Sequence, residues 1–259
     1  MKIGFIGFGN MAQALADGLV LKEAVKAKDI YAYARTRDRL IKNTSLKGYN
    51  PCSNALDLVS KVDMVVIAVK PYGVKDVIEE IKNDLQGKIL LSVVVNYTFD
   101  DYEKILAPNT HHISTLPNTP VSVGEGVIMY ENKHTLADKE LAKFINVFSK
   151  IGLVQEVETS NFGIAGTITG CGPAFASMFI EALSDAAVKH GLPRELSYKL
   201  ASQMLAGTGK LQLASKEHPG IMKDKVCSPG GTTIVGVTTL ERKGFRSAVI
   251  DAVDGIMNK

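Results

Sequence analysis

The amino-acid sequence predicts an α/β fold with a mostly parallel sheet, followed by an all-α carboxyl-terminal domain. In the first part of the 259-residue chain, short β-rich segments alternate with helical patterns. This alternation is typical of βαβ units, which build parallel sheets. After about residue 158 the β-branched runs give way to long patterns rich in Ala, Leu and Met. We therefore predict two domains, residues 1–158 and 159–259.

The first domain contains strands and helices in alternation. Strands are predicted at 2–6, 30–34, 64–69, 89–95, 111–115, 127–130 and 153–157. The 64–69 run is continuously apolar between Asp63 and Lys70, which is typical of a strand covered on both faces. Apolar residues at helical spacing predict helices at 11–19, 53–59, 74–85 and 137–150. Ser53 is the expected N-cap of the second helix, and a basic turn is expected after residue 34.

The second domain is predicted to consist of helices at 161–190, 193–214, 233–243 and 245–258. Gly191 and Pro193 end the first of these, and Pro173 should begin a helix or kink it. Residues 174–183 and 200–213 are apolar on more than one side, so they need a packing partner. That partner is either the first domain or a second subunit. We favour a dimerisation domain, because a domain of about 100 residues is too small to cover such helices alone.

Composition and cysteine spacing exclude several classes of protein. Lys plus Arg is 30 against 27 Asp plus Glu, a net charge of +3, so neither nucleic acid nor a membrane is an expected partner. The three cysteines (Cys52, Cys171 and Cys227) are far apart, so no disulfide framework and no metal site is predicted. Cys171 and Cys227 are either nucleophiles or buried small hydrophobic residues, and we favour the second because no His pairs with either in a local signature. A soluble protein of the reducing cytoplasm fits best, since no apolar run approaches the ~20 residues of a membrane span.

A glycine motif lies between the first strand and the first helix. Gly7, Gly9 and Ala12 form a GxGxxA pattern, in which the first glycine permits a tight turn and the second admits a pyrophosphate. Unpaired amides at the helix N-terminus then face the phosphates. We therefore predict a Rossmann-type sheet and a dinucleotide held at Gly7, Gly9, Asn10, Met11 and Ala12. A glycine turn without a ligand is the alternative.

The end of the second strand predicts which dinucleotide binds. An acidic residue there would indicate NAD, but Asp29 precedes the strand and lies at the wrong end of the sheet. At the correct end the chain has Arg35, Thr36 and Arg37. Two guanidinium groups and a hydroxyl suit a 2′-phosphate, so NADPH is predicted, with NADH as the second choice. The alternative is that these are solvated turn charges.

Other expected cofactor contacts lie at the same edge of the sheet. Ala68, Val69, Lys70 and Pro71 end a strand there, and ligands of open α/β sheets bind beyond the carboxyl ends of strands. Lys70 either touches a phosphate or ribose or is solvated. We add Asn118, which follows a later strand in a Pro-bracketed turn, and Asn54.

Residues 228–233, here called the glycine bend, form a candidate carboxylate site in the second domain. Ser228, Gly230, Gly231, Thr232 and Thr233 supply three hydroxyl groups and exposed amides just before a helix. The same pattern also fits a helix N-terminus with no ligand.

Taken together, these motifs resemble pyrroline-5-carboxylate reductases over nearly the whole chain. The resemblance rests on residues 7–12, 68–71, 117–120, 172–174, 191–194, 218–219, 228–233 and 244–246. The family usually has Gly at Asn96, Arg at Ser114 and Ser at Cys171, and it often has Thr or Ser at Cys227. These departures leave the substrate role of Cys171 and the approach of the backbone at Asn96 open.

The resemblance implies an activity, a site and an assembly. The activity is NAD(P)H-dependent reduction of 1-pyrroline-5-carboxylate to L-proline, the last step of proline biosynthesis, by hydride transfer to the ring C=N bond. Thr233 is then the catalytic hydroxyl on the ring nitrogen, and Ser228, Gly230, Gly231 and Thr232 hold the substrate carboxylate. The helical domain implies a homodimer assembled into a larger ring such as a decamer, with the active site facing a partner subunit's helical domain.

Two other functions stay open. A β-hydroxyacid dehydrogenase has a similar plan but needs a Lys on the first long helix, and residues 161–188 contain none. A non-catalytic NADPH-sensing protein would use the same glycine motif without turnover.

Overall fold

The computed structural model describes residues 1–259, which divide into two compact units, Met1–Pro173 and Ala174–Lys259. The first unit is α/β and the second is entirely helical. The predicted fold class is therefore confirmed. The division falls inside a long helix, α7 (Phe162–Lys189), whereas the predicted domain boundary precedes that helix; the boundary after residue 158 stays a prediction.

The first unit is built on an eight-stranded sheet with the spatial order β3-β2-β1-β4-β5-β6-β7-β8. Its strands are β1 (Ile3–Ile6), β2 (Ile30–Tyr33), β3 (Asn50–Pro51), β4 (Met64–Ile67), β5 (Ile89–Ser92), β6 (His111–Pro117), β7 (Gly126–His134) and β8 (Gly152–Val157). Every neighbouring pair is parallel except β6 and β7. All the predicted strands form, and β3 is an additional one. In chain order the strands run from β1 through β2 to β3 on one side, and the chain then returns to place β4 on the other side of β1. A crevice opens at the carboxyl ends of β1 and β4, where the strand order reverses.

Helices cover both faces of the sheet. They are α1 (Asn10–Leu21), α2 (Arg37–Ser45), α3 (Ala55–Val59), α4 (Val74–Ile81), α5 (Phe99–Glu103) and α6 (Asp138–Phe148). Along β4, Met64 and Val66 belong to one buried cluster, and Val65 and Ile67 belong to the other. Each such side chain contributes roughly 1.5–3 kcal/mol on burial, so both faces stabilise the sheet.

Two helices of the first unit were not predicted, and one N-cap prediction was wrong. The expected basic turn is present as a bend at Arg35, but helix α2, which follows it, was not predicted. Its only fully buried residues are Leu40 and Thr44, too few to form a visible apolar stripe. The short helix α5 was not predicted. Asn54, not Ser53, is the N-cap of α3: its Oδ1 accepts from the Asp57 amide at 2.7 Å. Ser53 instead donates its own amide to the Asp57 carboxylate.

The second unit consists of the end of α7 with α8 (Arg194–Ser215), α9 (Pro219–Lys225), α10 (Thr232–Arg242) and α11 (Phe245–Met257). The four predicted helices form, and α9 is additional. Many large apolar side chains of this unit are exposed, among them Met178, Leu211, Leu213, Val235 and Ile250. By length and composition alone α7 could cross a bilayer, but a helix covered by another subunit has the same character.

Candidate functional site

A cleft of about 820 Å³ lies at the carboxyl ends of β1, β2, β4 and β5, within the first unit. It is lined by the turn after β1, the start of α1 and α2, the 68–73 segment and the residues that follow β5. We call this pocket the cleft. Its volume is within the range of ligand pockets, and its place at the reversal of strand order is where open α/β sheets bind ligands.

Gly7 brings the turn after β1 against the end of β4. Its φ is +89°, and its amide donates to the Tyr33 carbonyl at 2.8 Å. A Cβ atom here would lie 2.6 Å from the Ala68 carbonyl oxygen and 2.9 Å from the Val69 amide nitrogen. Only glycine therefore fits, because both the left-handed conformation and the close backbone approach exclude a side chain.

Gly9 has the opposite surroundings. It is the residue before α1, and a Cβ there would meet no atom within 4 Å. No side chain caps α1, so no side chain accepts a hydrogen bond from the first amides of the helix. No acidic residue lies in the first turn, so no carboxylate balances the positive end of the helix dipole. Ala12 is 1% exposed and packs into the core. The cleft thus offers open space beside free helix amides, which fits a pyrophosphate.

The basic end of the cleft differs from the prediction in one residue. Arg35 and Thr36 line the cleft as predicted, but Arg37 does not; Arg39 and Asn43 line it instead. Residues 36, 39, 40 and 43 share one face of a helix, whereas residue 37 lies about 200° around the axis from residue 39. Sequence reasoning missed Arg39 because it treated the segment as a turn, and the helical spacing of 36, 39 and 43 could have identified it.

The remaining wall comes from the ends of β4 and β5. Ala68, Val69, Lys70 and Pro71 all line the cleft, together with unpredicted residues: Tyr72, Gly73, Asp76, Val77, Glu80, Val93, Val94, Val95 and Thr119. Tyr72 is 81% exposed, so its ring is free to stack on a planar ligand. In the sequence, the tyrosine directly after Lys70 and Pro71 was a signal that went unused.

Two expected cofactor contacts, Asn54 and Asn118, are not among the residues that line the cleft. Asn118 is 7% exposed, and its amide is used within the protein: Oδ1 accepts from the Val127 amide at 2.8 Å and Nδ2 donates to the Thr169 carbonyl at 3.0 Å. The cofactor roles of these two residues stay predictions.

The Asn118 bond also explains why Pro173 does not end helix α7. Pro173 lies inside α7, so it does not begin the helix, and the alternative that it kinks the helix stays a prediction. Proline has no amide hydrogen, so the carbonyl four residues earlier, that of Thr169, loses its helical partner. Asn118 donates to this carbonyl at 3.0 Å. A side chain from the β6–β7 connection thus replaces the missing backbone bond.

The adjacent histidines of β6 have separate surroundings. His111 Nδ1 lies 2.6 Å from a Glu140 carboxylate oxygen, and His112 Nε2 lies 2.7 Å from one of Glu103. His112 is 1% exposed, and burial lowers its pKa against the opposing effect of Glu103. Nowhere in the chain do three His, Cys, Asp or Glu side chains form a group that could hold a metal ion.

The positions that depart from the family pattern also have defined surroundings. Ser114 is 1% exposed, and its Oγ has no hydrogen-bond partner. Asn96, just after the residues beyond β5 that line the cleft, has a φ of +58°, which asparagine tolerates better than most residues. Cys171 and Cys227 are free thiols and half-buried, so they are less buried than expected.

In the second unit, the glycine bend forms a tight turn directly before α10. The Gly231 amide donates to the Ser228 carbonyl at 3.0 Å, and Gly230 has a φ of +71°. No side chain caps α10, and Thr232 and Thr233 are exposed. Exposed hydroxyl groups therefore surround uncapped amides at the positive end of a helix dipole, an arrangement that fits a carboxylate.

The sheet, the cleft and the glycine turn define a dinucleotide-binding protein of the Rossmann class with a helical carboxyl-terminal unit. Residues 159–259 match the family model described as pyrroline-5-carboxylate reductase dimerisation, and residues 2–96 match that described as NADP oxidoreductase coenzyme F420-dependent. The chain is 43% identical over 257 residues to the pyrroline-5-carboxylate reductase of Treponema pallidum, covering 98% of this chain and 97% of the relative. The chain belongs to the pyrroline-5-carboxylate reductase family.

Other relatives and solved structures agree. The Escherichia coli pyrroline-5-carboxylate reductase is 36% identical over 259 residues, covering 100% of this chain and 96% of that protein. The crystal structure of Plasmodium falciparum pyrroline carboxylate reductase with NADP bound has a TM-score of 0.87 and 32% identity, covering 98% of this chain and 95% of that one. The Coxiella burnetii pyrroline-5-carboxylate reductase has a TM-score of 0.85 and 28% identity, covering 99% of this chain and 96% of that one. The match to a dimerisation family also supports the predicted oligomer.

Proposed function

We propose that this protein reduces 1-pyrroline-5-carboxylate to L-proline by hydride transfer to the ring C=N bond, the last step of proline biosynthesis. The observation that carries the proposal is similarity to pyrroline-5-carboxylate reductases over 98% of the chain, which includes both the cleft and the glycine bend. A soluble cyclic imine is thus the substrate. The reaction is an oxidoreduction, and neither nucleic acid nor a membrane takes part.

We propose NADPH as the preferred cofactor, with NADH as the second choice. The Plasmodium relative binds NADP, and here Arg35, Thr36 and Arg39 lie at the end of the cleft that would receive a 2′-phosphate. Guanidinium groups bind phosphate by paired hydrogen bonds. Gly7, Gly9, Asn10, Met11 and Ala12 would hold the pyrophosphate, and Ala68, Val69, Lys70 and Pro71 the adenosine side. When bound, the cofactor supplies the hydride, and the protein supplies placement and electrostatics.

The glycine bend is the proposed substrate site. Ser228, Gly230, Gly231 and Thr232 would hold the carboxylate through hydroxyl groups and helix amides. The Thr233 hydroxyl would donate a hydrogen bond to the ring nitrogen, where negative charge develops as the hydride adds to carbon. A threonine hydroxyl is a poor general acid near neutral pH, so its role is to donate this bond and orient the ring.

We propose a homodimer through the carboxyl-terminal helices, assembled into a larger ring such as a decamer. The exposed apolar side chains of the second unit need such a cover. A reducing, cytoplasmic location fits the three free cysteines.

The activity is tested by following NADPH absorbance in the presence of the cyclic imine and by identifying proline as the product. Thr233→Ala should lower turnover by roughly 10- to 100-fold, since one hydrogen bond to developing charge is lost. Thr233→Ser retains the hydroxyl and should restore most of the activity. Full turnover in Thr233→Ala would remove this residue from the mechanism.

A flat absorbance trace with intact NADPH binding would instead favour a sensing protein. Turnover of a β-hydroxyacid but not of the imine would favour the dehydrogenase alternative, against which stands the absence of Lys from residues 161–188.

A further inference from the structure

The cleft contains acidic as well as basic residues at the end where a 2′-phosphate would bind. Arg35 and Arg39 line it from the side of β2 and α2, and Asp76 and Glu80 line it from α4. Asp76 and Glu80 are four residues apart, so they lie on the same face of their helix. A site built only to attract a phosphate dianion would not need these two carboxylates.

Arg35 extends from the end of β2 to the start of α4. Its Nη2 atom lies 4.0 Å from Oδ2 of Asp76, and a Cβ atom at Gly73 would lie 3.6 Å from the same nitrogen. The Arg35 and Asp76 side chains are 71% and 80% exposed, so water can compete for this ion pair. The guanidinium group that should bind the phosphate therefore already has a carboxylate within ion-pair distance.

We propose that Asp76 competes with the 2′-phosphate of NADPH for Arg35 and thereby sets the preference between NADPH and NADH; this rests on the proposed cofactor. Binding of NADPH replaces the carboxylate at Arg35 by the phosphate and brings a dianion towards Asp76 and Glu80. NADH has a hydroxyl group at that position and meets neither effect. Asp76 thus weakens NADPH binding selectively and leaves NADH as a usable cofactor.

The test compares Asp76→Asn with Glu79→Gln by titrating NADPH and NADH fluorescence without substrate. Glu79 is a matched control: it lies on the same helix, does not line the cleft, is 73% exposed and pairs with Lys82 at 2.8 Å. Both substitutions remove one negative charge, so the comparison cancels the change in net charge.

Asp76→Asn should lower the Kd for NADPH by about 2- to 5-fold at low ionic strength, as for an exposed ion pair. The Kd for NADH should change by less than about 1.5-fold, and Glu79→Gln should change neither Kd by more than that. In 1 M salt, where the Debye length is about 3 Å, the gain for NADPH should largely disappear. Glu80→Gln should give a smaller gain in the same direction.

Equal effects of Asp76→Asn and Glu79→Gln, or equal gains for NADPH and NADH, would overturn the inference while leaving the proposed activity intact. Failure of the wild-type protein to bind either dinucleotide would overturn both. Circular dichroism and thermal unfolding of each variant show whether a changed Kd reflects a changed fold. Because all three substituted side chains are exposed, the variants should unfold within a few degrees of the wild type.

Discussion

Three glycine-to-alanine substitutions separate the structural role of the glycine turn from its role in binding. Gly7→Ala places a Cβ atom 2.6 Å from a backbone oxygen at φ +89°. Gly9→Ala places one in open space within the cleft. Gly87→Ala is the matched control for backbone strain, because Gly87 has a φ of +72° and a methyl group there would meet no atom within 4 Å. The first variant should lose stability and binding, the second only binding, and the third only stability.

The magnitudes follow from these surroundings. A non-glycine residue in the left-handed region costs about 1–2 kcal/mol, so Gly87→Ala should lower the free energy of unfolding by that amount. In Gly7→Ala the new methyl group also clashes with backbone atoms, which must move to make room. This clash should lower the free energy of unfolding by about 1–3 kcal/mol more, so the total loss is about 2–5 kcal/mol. Gly9→Ala should change stability by less than about 1 kcal/mol, because its φ of −84° is allowed for alanine.

The assay combines urea unfolding of the cofactor-free protein with NADPH titration of the folded protein. Gly9→Ala should raise the Kd for NADPH by at least about 10-fold, equivalent to 1.4 kcal/mol, if the pyrophosphate lies against the glycine backbone. Gly87→Ala should leave that Kd unchanged. The reasoning is refuted if Gly9→Ala binds NADPH normally, or if Gly7→Ala is no less stable than Gly87→Ala.

Further predictions concern the basic end of the cleft, the bond to the proline-containing helix and the buried histidine. Arg35→Ala should raise the KM for NADPH several-fold more than that for NADH, and Arg37→Ala, outside the cleft, should not; equal values for the two variants would contradict the 2′-phosphate assignment. Asn118→Ala should lower the free energy of unfolding by about 1–3 kcal/mol, because two partly buried backbone groups lose partners. Pro173→Ala restores the backbone amide, so in that background Asn118→Ala should cost about 1 kcal/mol less in the free energy of unfolding, measured with urea. Strictly additive effects of the two substitutions would show that the Asn118 side chain does not replace the missing backbone bond. Burial lowers the pKa of His112 in the folded protein. As the pH falls below about 6.5, this histidine is therefore protonated first in the unfolded chain. The free energy of unfolding should then decline by at most about 1.4 kcal/mol per pH unit. Denaturation at pH 7.5 and 5.5 should show a shallower decline for His112→Gln, and an unchanged slope would exclude this group.

Much of the fold was predictable because local patterns determine it. The continuous apolar run at β4 predicted burial on both faces, and its alternate residues do belong to two separate buried clusters. The glycine motif was equally informative, because the left-handed turn at Gly7 and the open space at Gly9 are backbone properties that the motif itself requires. Helix α2 was missed because two buried residues are too few to give a periodic signal.

The sequence by itself determined three features, because each depends on residues close together in the chain. They are the glycine turn, the alternation of strands and helices, and the apolar character of the second unit. The tertiary structure decided which distant side chains meet. It selected Arg39 over Arg37, brought Asp76 to Arg35 and placed the Asn118 amide on the carbonyl that Pro173 leaves without a helical partner. These contacts depend on the order and register of neighbouring elements, and a short-range pattern carries no information about either.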